Sequence, residues 1–185
     1  MEKYRQYRQT VDQGGLGMDK EIRIRKADTD DLYNICSVFE KAIHVMNENN
    51  IPQWDERYPS QEIIREDILN NQMYLGEIEN QIACVFVLNQ QYDVEYENGN
   101  WKYKDSFFTV VHRLCVNPQF QKQGVGTKTM QIIENMLKNE GTDAIRLDAF
   151  SLNPYALRMY EKLGYMKVGE VNWRTGLFYL YEKLI

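Results

Sequence analysis

The short segment "QKQGVGTK", residues 121–128, has the composition of a turn that binds phosphate. It follows a strand-like stretch that ends in "LCVNP" and precedes a helical pattern. The backbone N–H groups of such a turn, with the positive end of the helix dipole behind them, hold a phosphate without any charged side chain. Glycine-rich turns also occur where a strand is merely connected to a helix, so the segment predicts an anion site only together with its context.

Two familiar phosphate motifs do not fit this segment. The Walker A motif requires a lysine after its second glycine, whereas Thr127 follows Gly126 here. The dinucleotide-binding fingerprint requires a third glycine where this chain has Thr129. The pattern that remains is Q-x-x-G-x-G, formed by Gln121, Gly124 and Gly126. It predicts that the backbone of the loop binds a pyrophosphate.

A second segment, "NPYALRMYEKLGY" at residues 153–165, predicts a short helix with marked ends. Asn153 suits the N-cap and Pro154 the first helical position, because proline lacks the N–H that would be unpaired there. Gly164 suits the C-terminal end of the helix. Tyr160 lies within this helix, where an aromatic residue ordinarily packs the helix against the core.

Composition and charge limit the classes of protein. The chain has 185 residues, enough for one domain with a core, and 43% of them are hydrophobic against 26% charged. A net charge of −5 argues against a nucleic-acid partner, because binding to the phosphate backbone rests on an excess of lysine and arginine. The sequence has neither an apolar run of ~18 residues nor the apolar core of a signal peptide. We therefore expect a cytoplasmic protein with no membrane partner.

A single domain is expected over residues 18–185. Residues 1–17 are polar, punctuated by glycine and without a clear period, so we expect them to be a disordered extension, and Met18 is a candidate natural start. A monomer or a homodimer is the expected state. Buried free thiols and no metal site are expected, because only two histidines are present and none of the cysteines forms a C-x-x-C pair: Cys36, Cys84 and Cys115.

The rest of the pattern predicts the elements that must position the two segments. Thr29 is a candidate N-cap for the first helix and Ser60 for the second. Glu79 and Asn80 lie between two β-rich runs, as the turn of a hairpin. The order is β α α β β β α β α β β, an α/β domain with a mixed sheet of seven strands, which include residues 21–27, 106–118 and 143–150.

Both segments resemble motifs of one family. "LCVNPQFQKQGVGTKTMQIIENML" resembles the acetyl-coenzyme-A motif of the Gcn5-related N-acetyltransferase (GNAT) superfamily, a strand ending in L-x-V followed by [QR]-x-x-G-x-[GA] and a helix. The later segment resembles the family's N-x-x-A-x-x-x-Y-E-x-x-G-[FY] motif through Asn153, Ala156, Tyr160, Glu161, Gly164 and Tyr165. The resemblance is strong over residues 106–170 and fair over residues 21–90.

The resemblance implies a fold and an activity. The expected fold is a mixed, mostly antiparallel sheet flanked by helices, with a splayed cofactor groove between strands four and five. The expected activity is transfer of an acetyl group from acetyl-CoA to a primary amine by direct attack through a tetrahedral intermediate. The acceptor is a small-molecule amine or a protein amine. Two alternatives stay open: a non-catalytic acyl-CoA-binding sensor or interaction module, and a transferase of a larger acyl group.

Residue roles follow from the same resemblance. Main-chain groups of Leu114 and Val116 would bind the pantetheine arm like a neighbouring strand, and the Leu114 N–H would also face the acyl oxygen. Asn153 would bind the arm from its other side, with Ala156 beside it. The pyrophosphate would bind to the loop residues Gln121, Lys122, Gln123, Gly124, Val125, Gly126 and Thr127.

The family's tyrosine at the position of Tyr160 implies the general acid that protonates the departing sulfur. The general base is less determined. His112 lies on the strand of Leu114 and Val116 and would share their facing if no bulge intervenes, and an ordinary imidazole pKa near ~6.5 suits proton removal at neutral pH. The alternatives are carboxylates: Glu95, Glu97 and Asp148.

The acceptor is expected beside the loop between the first two helices, which contains "IPQWDERYPS". Trp54 and Tyr58 with the carboxylate of Asp55 form a plausible site for a cationic amine, although the two aromatic residues would serve equally to hold a long loop against the core. Phe150, near Leu114, would limit the room for acyl group and acceptor.

Overall fold

The computed structural model describes residues 21–185. The expectations for residues 1–17 and for Met18 therefore lie outside the described residues. Within residues 21–185 no helix is both long and apolar enough to cross a membrane.

One seven-stranded sheet with helices packed on it forms the molecule, and its order along the chain confirms the predicted order. The strands lie in the order β1-β2-β3-β4-β5-β7-β6. The helices are α1 (Leu32–Glu48), α2 (Gln61–Leu69), α3 (Val125–Asn139) and α4 (Pro154–Lys162). The strands are β1 (Arg23–Lys26), β2 (Met73–Ile78), β3 (Gln81–Asn89), β4 (Phe108–Val116), β5 (Ala144–Phe150), β6 (Met166–Trp173) and β7 (Gly176–Leu184).

The helix starts follow the capping residues with one correction. Ser60 caps α2, since its Oγ accepts the Ile63 N–H at 3.4 Å, and Asn153 caps α4, since its Oδ1 accepts the Ala156 N–H at 3.1 Å. Thr29 is not a cap: Asp28 accepts the Asp30 N–H, and a single 3₁₀ turn precedes α1. An aspartate one residue earlier is the stronger capping acceptor, which explains the shift.

The parallel pair β4 and β5 separates along its length. The two strands pair only where Phe108–Val110 faces Ala144–Arg146, although β4 runs on to Val116 and β5 to Phe150. Beyond Val110, β4 keeps its partner β3 on one edge and has no partner among the described strands on the other. Its main-chain groups on that edge therefore face a groove, where side chains, a ligand or water must satisfy them. The expected splay between strands four and five is confirmed.

A bulge in β4 corrects the facing expected for His112. On β3 the step from Val85 to Val87 is two residues, whereas the paired step on β4 runs from Cys115 to His112 and contains one residue more. The extra residue is accommodated at Arg113, whose φ of 51° is left-handed. Because side chains alternate between the faces of a strand, His112 faces the opposite side of the sheet from Leu114 and Val116.

The polar and aromatic segment between β3 and β4, residues 90–107, is anchored to β5 and β7. It forms a short 3₁₀ helix, Val94–Asn98, and buries Tyr96 and Trp101. The fully buried Glu182 carboxylate accepts the Lys102 N–H at 2.7 Å and the Arg146 Nε–H at 3.1 Å. Because a buried charge needs its partners, this pairing fixes the position of the segment beside the splayed strands.

Candidate active site

Two cavities meet where β4 and β5 separate. One, the glycine-loop groove, runs from the loop before α3 along the edge of β4 and has a volume of about 450 Å³. The other, the central cavity, has a volume of about 600 Å³. Both are lined by Gln53, Trp54, Leu114, Asn153, Ala156 and Tyr160. A molecule in the groove would thus reach a molecule in the cavity at these residues.

The first turn of α3 offers unpaired backbone N–H groups to the groove. Among the described residues no side chain caps this helix, and the first N–H with an acceptor in the helix is that of Lys128, bonded to the Gly124 carbonyl at 3.0 Å. Helices α2 and α4 carry side-chain caps. Gly124, at φ 78°, makes the left-handed turn into the helix, a conformation that glycine adopts without a steric cost. An anion at this end would satisfy the N–H groups of residues 125–127.

Gly126 allows α3 to approach its neighbours closely. A Cβ at this position would lie 3.1 Å from Met159 Sδ and 3.5 Å from Val116 Cγ2. Three cations line the same groove, and none of them has an ion-pair partner within residues 21–185: Lys122, Arg158 and Lys162. The groove thus combines backbone donors with positive side chains, as a diphosphate requires.

The other loop residues divide between lining and support. Gln121 lines the groove, and its Nε2 donates to the Val116 carbonyl at 3.3 Å, which ties the loop to the end of β4. Val125 and Thr127 also line the groove. Gln123 does not line it, since its side chain is directed to the Gln119 carbonyl at 2.9 Å.

Asn153 joins two walls of the junction. Its Oδ1 caps α4, while its Nδ2 donates to Gln53 Oε1 at 3.0 Å, across to the loop that follows α1. From its sequence, Asn153 was predicted to hydrogen-bond the pantetheine arm. In the structure its oxygen is already engaged, and its first role is to position α4 against the loop.

The central cavity passes between the splayed strands. Asp148 and Ala149 are consecutive on β5 and therefore project to opposite faces of the sheet, yet both line the cavity. Leu114 borders it from β4, next to the bulge. Groups from both sides of the sheet consequently meet in one space.

Tyr160 is buried at the junction with a free hydroxyl. Its ring packs edge-on against Tyr165, at 5.6 Å between centroids, and against Tyr181 at 6.1 Å. Within the described chain its hydroxyl has no hydrogen-bond partner, and the residue lines both cavities. Burial raises the pKa of the phenol well above its usual value. Tyr160 is thus a protonated donor at neutral pH.

Asp148 is a largely buried carboxylate beside it. Burial raises its pKa to about 6, against the hydrogen bond that Tyr96 donates to its Oδ1 at 2.7 Å. Asp93 raises this pKa further, and Arg113 lowers it. A carboxylate with a pKa near 6 is ionised at neutral pH and is more basic than an ordinary aspartate.

His112 also lines the central cavity, but in a less basic state. Its Nε2 lies 3.0 Å from the Gln91 carbonyl, which can only accept, so Nε2 carries the proton. Burial, with the charge of Arg113, lowers the pKa of the imidazole to about 4. The ring is a neutral hydrogen-bonding group near pH 7.

The four residues predicted to contact the acceptor divide into two pairs. Trp54 and Tyr58 line the central cavity, and Trp54 also packs edge-on against Phe39, so it both holds the loop and borders the site. Asp55 lines neither cavity and forms a surface pair with Arg174, at 2.6 and 2.9 Å. Phe150 is only 1% exposed and packs against Phe178 in the core, so the structure places it outside both cavities.

Three residues of the central cavity were not predicted from the sequence. Arg113 and Asp67 face each other there, and Tyr96 contacts Asp148. A charged residue in the middle of the apolar strand "FFTVVHRLCV" was a signal that singled out Arg113. Asp67 and Tyr96 lie in unremarkable polar stretches and carry no such signal.

The architecture defines a class. It is an α/β protein whose sheet opens between two parallel strands, and a helix start without a side-chain cap among the described residues lies on one side of the opening, with a carboxylate-lined cavity on the other. The profile of the Acetyltransferase (GNAT) family matches residues 39–165. The chain belongs to this family and is an acetyltransferase, which confirms the resemblance.

Individual relatives agree with this assignment. The S-(2-succino)cysteine N-acetyltransferase of Bacillus subtilis is 24% identical over 126 residues, which cover 66% of this chain and 71% of that protein. A GNAT-family acetyltransferase from Streptococcus agalactiae has a TM-score of 0.78 and 22% identity, over 89% of this chain and 95% of that one. The PaiA N-acetyltransferase of Thermoplasma acidophilum, in complex with coenzyme A, has a TM-score of 0.66 and 17% identity, over 89% and 99%. The two structures share the fold.

Replacement of Asp148 by asparagine is predicted to stabilise the protein above pH 6. The folded pKa of Asp148, about 6, exceeds that of an unfolded aspartate, so the wild type loses stability as pH rises from about 4 through 6. The free energy of unfolding of Asp148→Asn should exceed that of the wild type by on the order of 2 kcal/mol at pH 8 and should equal it at pH 4. Denaturant unfolding at both pH values measures this, with the exposed Asp105→Asn as control. An equal gain in unfolding free energy at both pH values, or a lower unfolding free energy than the wild type at pH 8, would contradict the prediction.

Proposed function

We propose that the protein transfers an acetyl group from acetyl-CoA to a primary amine. The observation that carries the proposal is the meeting of the glycine-loop groove with the central cavity at Leu114 and Tyr160. The groove supplies what a coenzyme A diphosphate needs, and the cavity supplies a carboxylate and a phenol for an amine acceptor.

The residues fit acetyl-CoA along the whole groove. The uncapped N–H groups of residues 125–127, with Lys122 and Arg158, would hold the diphosphate. The edge of β4 from Leu114 to Val116, which β5 does not pair with, would bind the amides of the pantetheine arm as an added strand would. When bound, acetyl-CoA supplies an activated acetyl group as a thioester.

Groups that line the two cavities can accept and donate the protons that the reaction moves. The amine nitrogen forms a bond to the acetyl carbon, and the carbon–sulfur bond breaks. Asp148 accepts the proton that leaves the nitrogen, and Tyr160 donates a proton to the sulfur. The raised pKa of Tyr160 means that it first acts as a hydrogen-bond donor. It gives up its proton as negative charge grows on a sulfur that is equally removed from water.

Direct attack by the amine is supported by the state of the nearby thiol. Cys115 lines the glycine-loop groove but is 3% exposed, and burial raises the pKa of its thiol far above the usual value. The thiolate, which is the nucleophilic form, is thus absent at neutral pH. A covalent acetyl-enzyme on this cysteine is disfavoured.

Thermal unfolding and thiol release together test the function. Acetyl-CoA should raise the melting temperature, and acetyl-CoA with a panel of primary amines should release free thiol with at least one of them. Stabilisation without turnover on any amine would instead indicate an acyl-CoA sensor. Absence of stabilisation by acetyl-CoA would overturn the proposal.

Substitution of Gly126 should weaken acetyl-CoA binding in proportion to the size of the new side chain. Alanine displaces only the flexible end of Met159, whereas the branched valine fills the groove at the start of α3. Gly126→Val should raise the dissociation constant by roughly tenfold or more, ~1.4 kcal/mol. Calorimetric titration measures this, with Gln123→Ala as a control in the same loop. If Gly126→Val and the control bind acetyl-CoA with equal affinity, acetyl-CoA does not bind in the glycine-loop groove.

Removal of the Tyr160 hydroxyl should slow the chemical step. Tyr160→Phe should lower kcat by about tenfold or more with little change in the KM for acetyl-CoA, because the ring packing remains while the proton donor is lost. Steady-state kinetics with saturating amine measure the two constants. Tyr165→Phe, in the same ring cluster but outside both cavities, is the control. An unchanged kcat would remove Tyr160 from the mechanism.

The pH dependence of the rate separates Asp148 from His112 as the base. A base must be deprotonated, so kcat/KM should rise with pH through about 6 if Asp148 acts and through about 4 if His112 acts. Asp148→Asn should lose the rise near pH 6 and about a hundredfold in rate at pH 7.5, while His112→Gln keeps the rise. Persistence of the rise in Asp148→Asn would rule out Asp148.

A further inference from the structure

Arg113 is a cation held inside the central cavity by the β4 bulge. Its side chain is 14% exposed, and its backbone has a left-handed φ of 51°, which is unfavourable for a residue with a Cβ. Such a conformation persists only where the surroundings impose it, and it commonly marks a functional position. The bulge directs the guanidinium to the cavity one residue before Leu114.

The hydrogen bonds of Arg113 are incomplete. Within residues 21–185 only its Nη1 is paired, to Asp67, at 3.3 Å from Oδ1 and 3.1 Å from Oδ2. Its Nε is buried without a hydrogen-bond partner in the described part of the chain. Arg174 shows the contrast, since two of its nitrogens engage Asp55 at 2.6 and 2.9 Å. An arginine fork usually binds a carboxylate through two N–H groups, so Arg113 retains capacity for another anion.

Asp67 is the ion-pair partner of Arg113 in the central cavity. Burial raises the pKa of Asp67 to about 6, although Arg113 acts to lower it. The same cavity also contains the ring of Tyr58, whose centroid lies 5.4 Å from the guanidinium carbon, the neutral imidazole of His112 and the carboxylate of Asp93. Asp148 is close enough for Arg113 to lower its pKa. The cavity therefore presents a positive and a negative group to one ligand.

We propose that Arg113 binds a carboxylate of the acceptor, so that the acceptor is an amino acid or a related amino-carboxylic acid whose amine faces Asp148. A purely cationic acceptor, such as a polyamine, would leave the buried Nε–H of Arg113 without an acceptor. The inference rests on the proposed acetyl transfer for its catalytic role. Carboxylate binding itself is independent of turnover.

Matched acceptors test the proposal. Alanine, methionine, phenylalanine and glutamate are each compared with the corresponding amino-acid amide, which has the same shape without the α-carboxylate. At least one acid should exceed its amide in kcat/KM by about tenfold, the size of one charge-assisted pair. The amide's amine is the more easily deprotonated of the two, so the chemistry alone favours the amide. Amides that react as well as all four acids would overturn the proposal.

Two variants separate carboxylate binding from a purely structural ion pair. Arg113→Gln should abolish the preference for the acid, measured as the ratio of kcat/KM for the acid to kcat/KM for its amide in the same variant. Asp67→Asn should keep or increase the preference, because it removes the competing carboxylate. If Arg113 serves only to pair Asp67, both variants will lower the rates with acid and amide alike, and the proposal fails.

Calorimetric binding to the wild-type protein with coenzyme A present does not depend on folding of a variant or on turnover. The favoured acid should bind about tenfold more tightly than its amide. Selective binding of the acid without acetylation would support the carboxylate site and contradict the proposed reaction. Acetylation of amines without any preference for the acid would leave the reaction standing and reject the carboxylate site.

Discussion

The loss of pairing between β4 and β5 beyond Val110 is the constraint on which the site depends. A sheet that opens between parallel strands leaves main-chain groups along an inner edge, and those groups require a partner. The opening also admits side chains from both faces of the sheet to one space, as Asp148 and Ala149 show. Neither a closed sheet nor a free outer edge would offer both properties.

Several anchors keep the opening in shape, and each joins elements that are distant in the chain. Asn153 ties the start of α4 to Gln53, and Glu182 ties the segment before β4 to β5 and β7 through Arg146. Tyr96, carried by that segment, reaches Asp148. Asp148 and Asn153 are thus positioned by a polar framework. The aromatic contacts around Tyr160 fix the remaining wall.

The site is maintained at a cost in stability. Three groups of the described chain are each less stable than a satisfied equivalent: a buried carboxylate with a raised pKa, an arginine Nε without a partner and a helix start without a side-chain cap. Buried polar groups of this kind are tolerated where a ligand completes them. Their presence on the two sides of one opening is consistent with a donor and an acceptor that bind at the same time.

The local features could be predicted from the sequence, because they depend on neighbouring residues. Ser60, Asn153 and the glycines of the α3 loop act within their own turns, and their spacing predicted those turns. The bulge at Arg113 could not be predicted, since it arises from the register between β3 and β4 and places a residue with a Cβ at positive φ.

His112 and Phe150 illustrate the consequence for the site. The alternation in β4 predicted that His112 shares a face with Leu114, and one extra residue reversed it. The position of Phe150 at the end of β5 was correct, but its burial depends on Phe178 of β7, which lies opposite it in the sheet. Contacts between strands distant in sequence decided both outcomes.

Binding of a bisubstrate analogue tests the central claim most directly, namely that donor and acceptor meet at the β4–β5 opening. The analogue joins the sulfur of coenzyme A through an acetyl linker to the nitrogen of the best acceptor. Calorimetric titration should show that it binds at least about tenfold more tightly than coenzyme A alone, because one molecule fills both cavities. An affinity equal to that of coenzyme A would contradict the account.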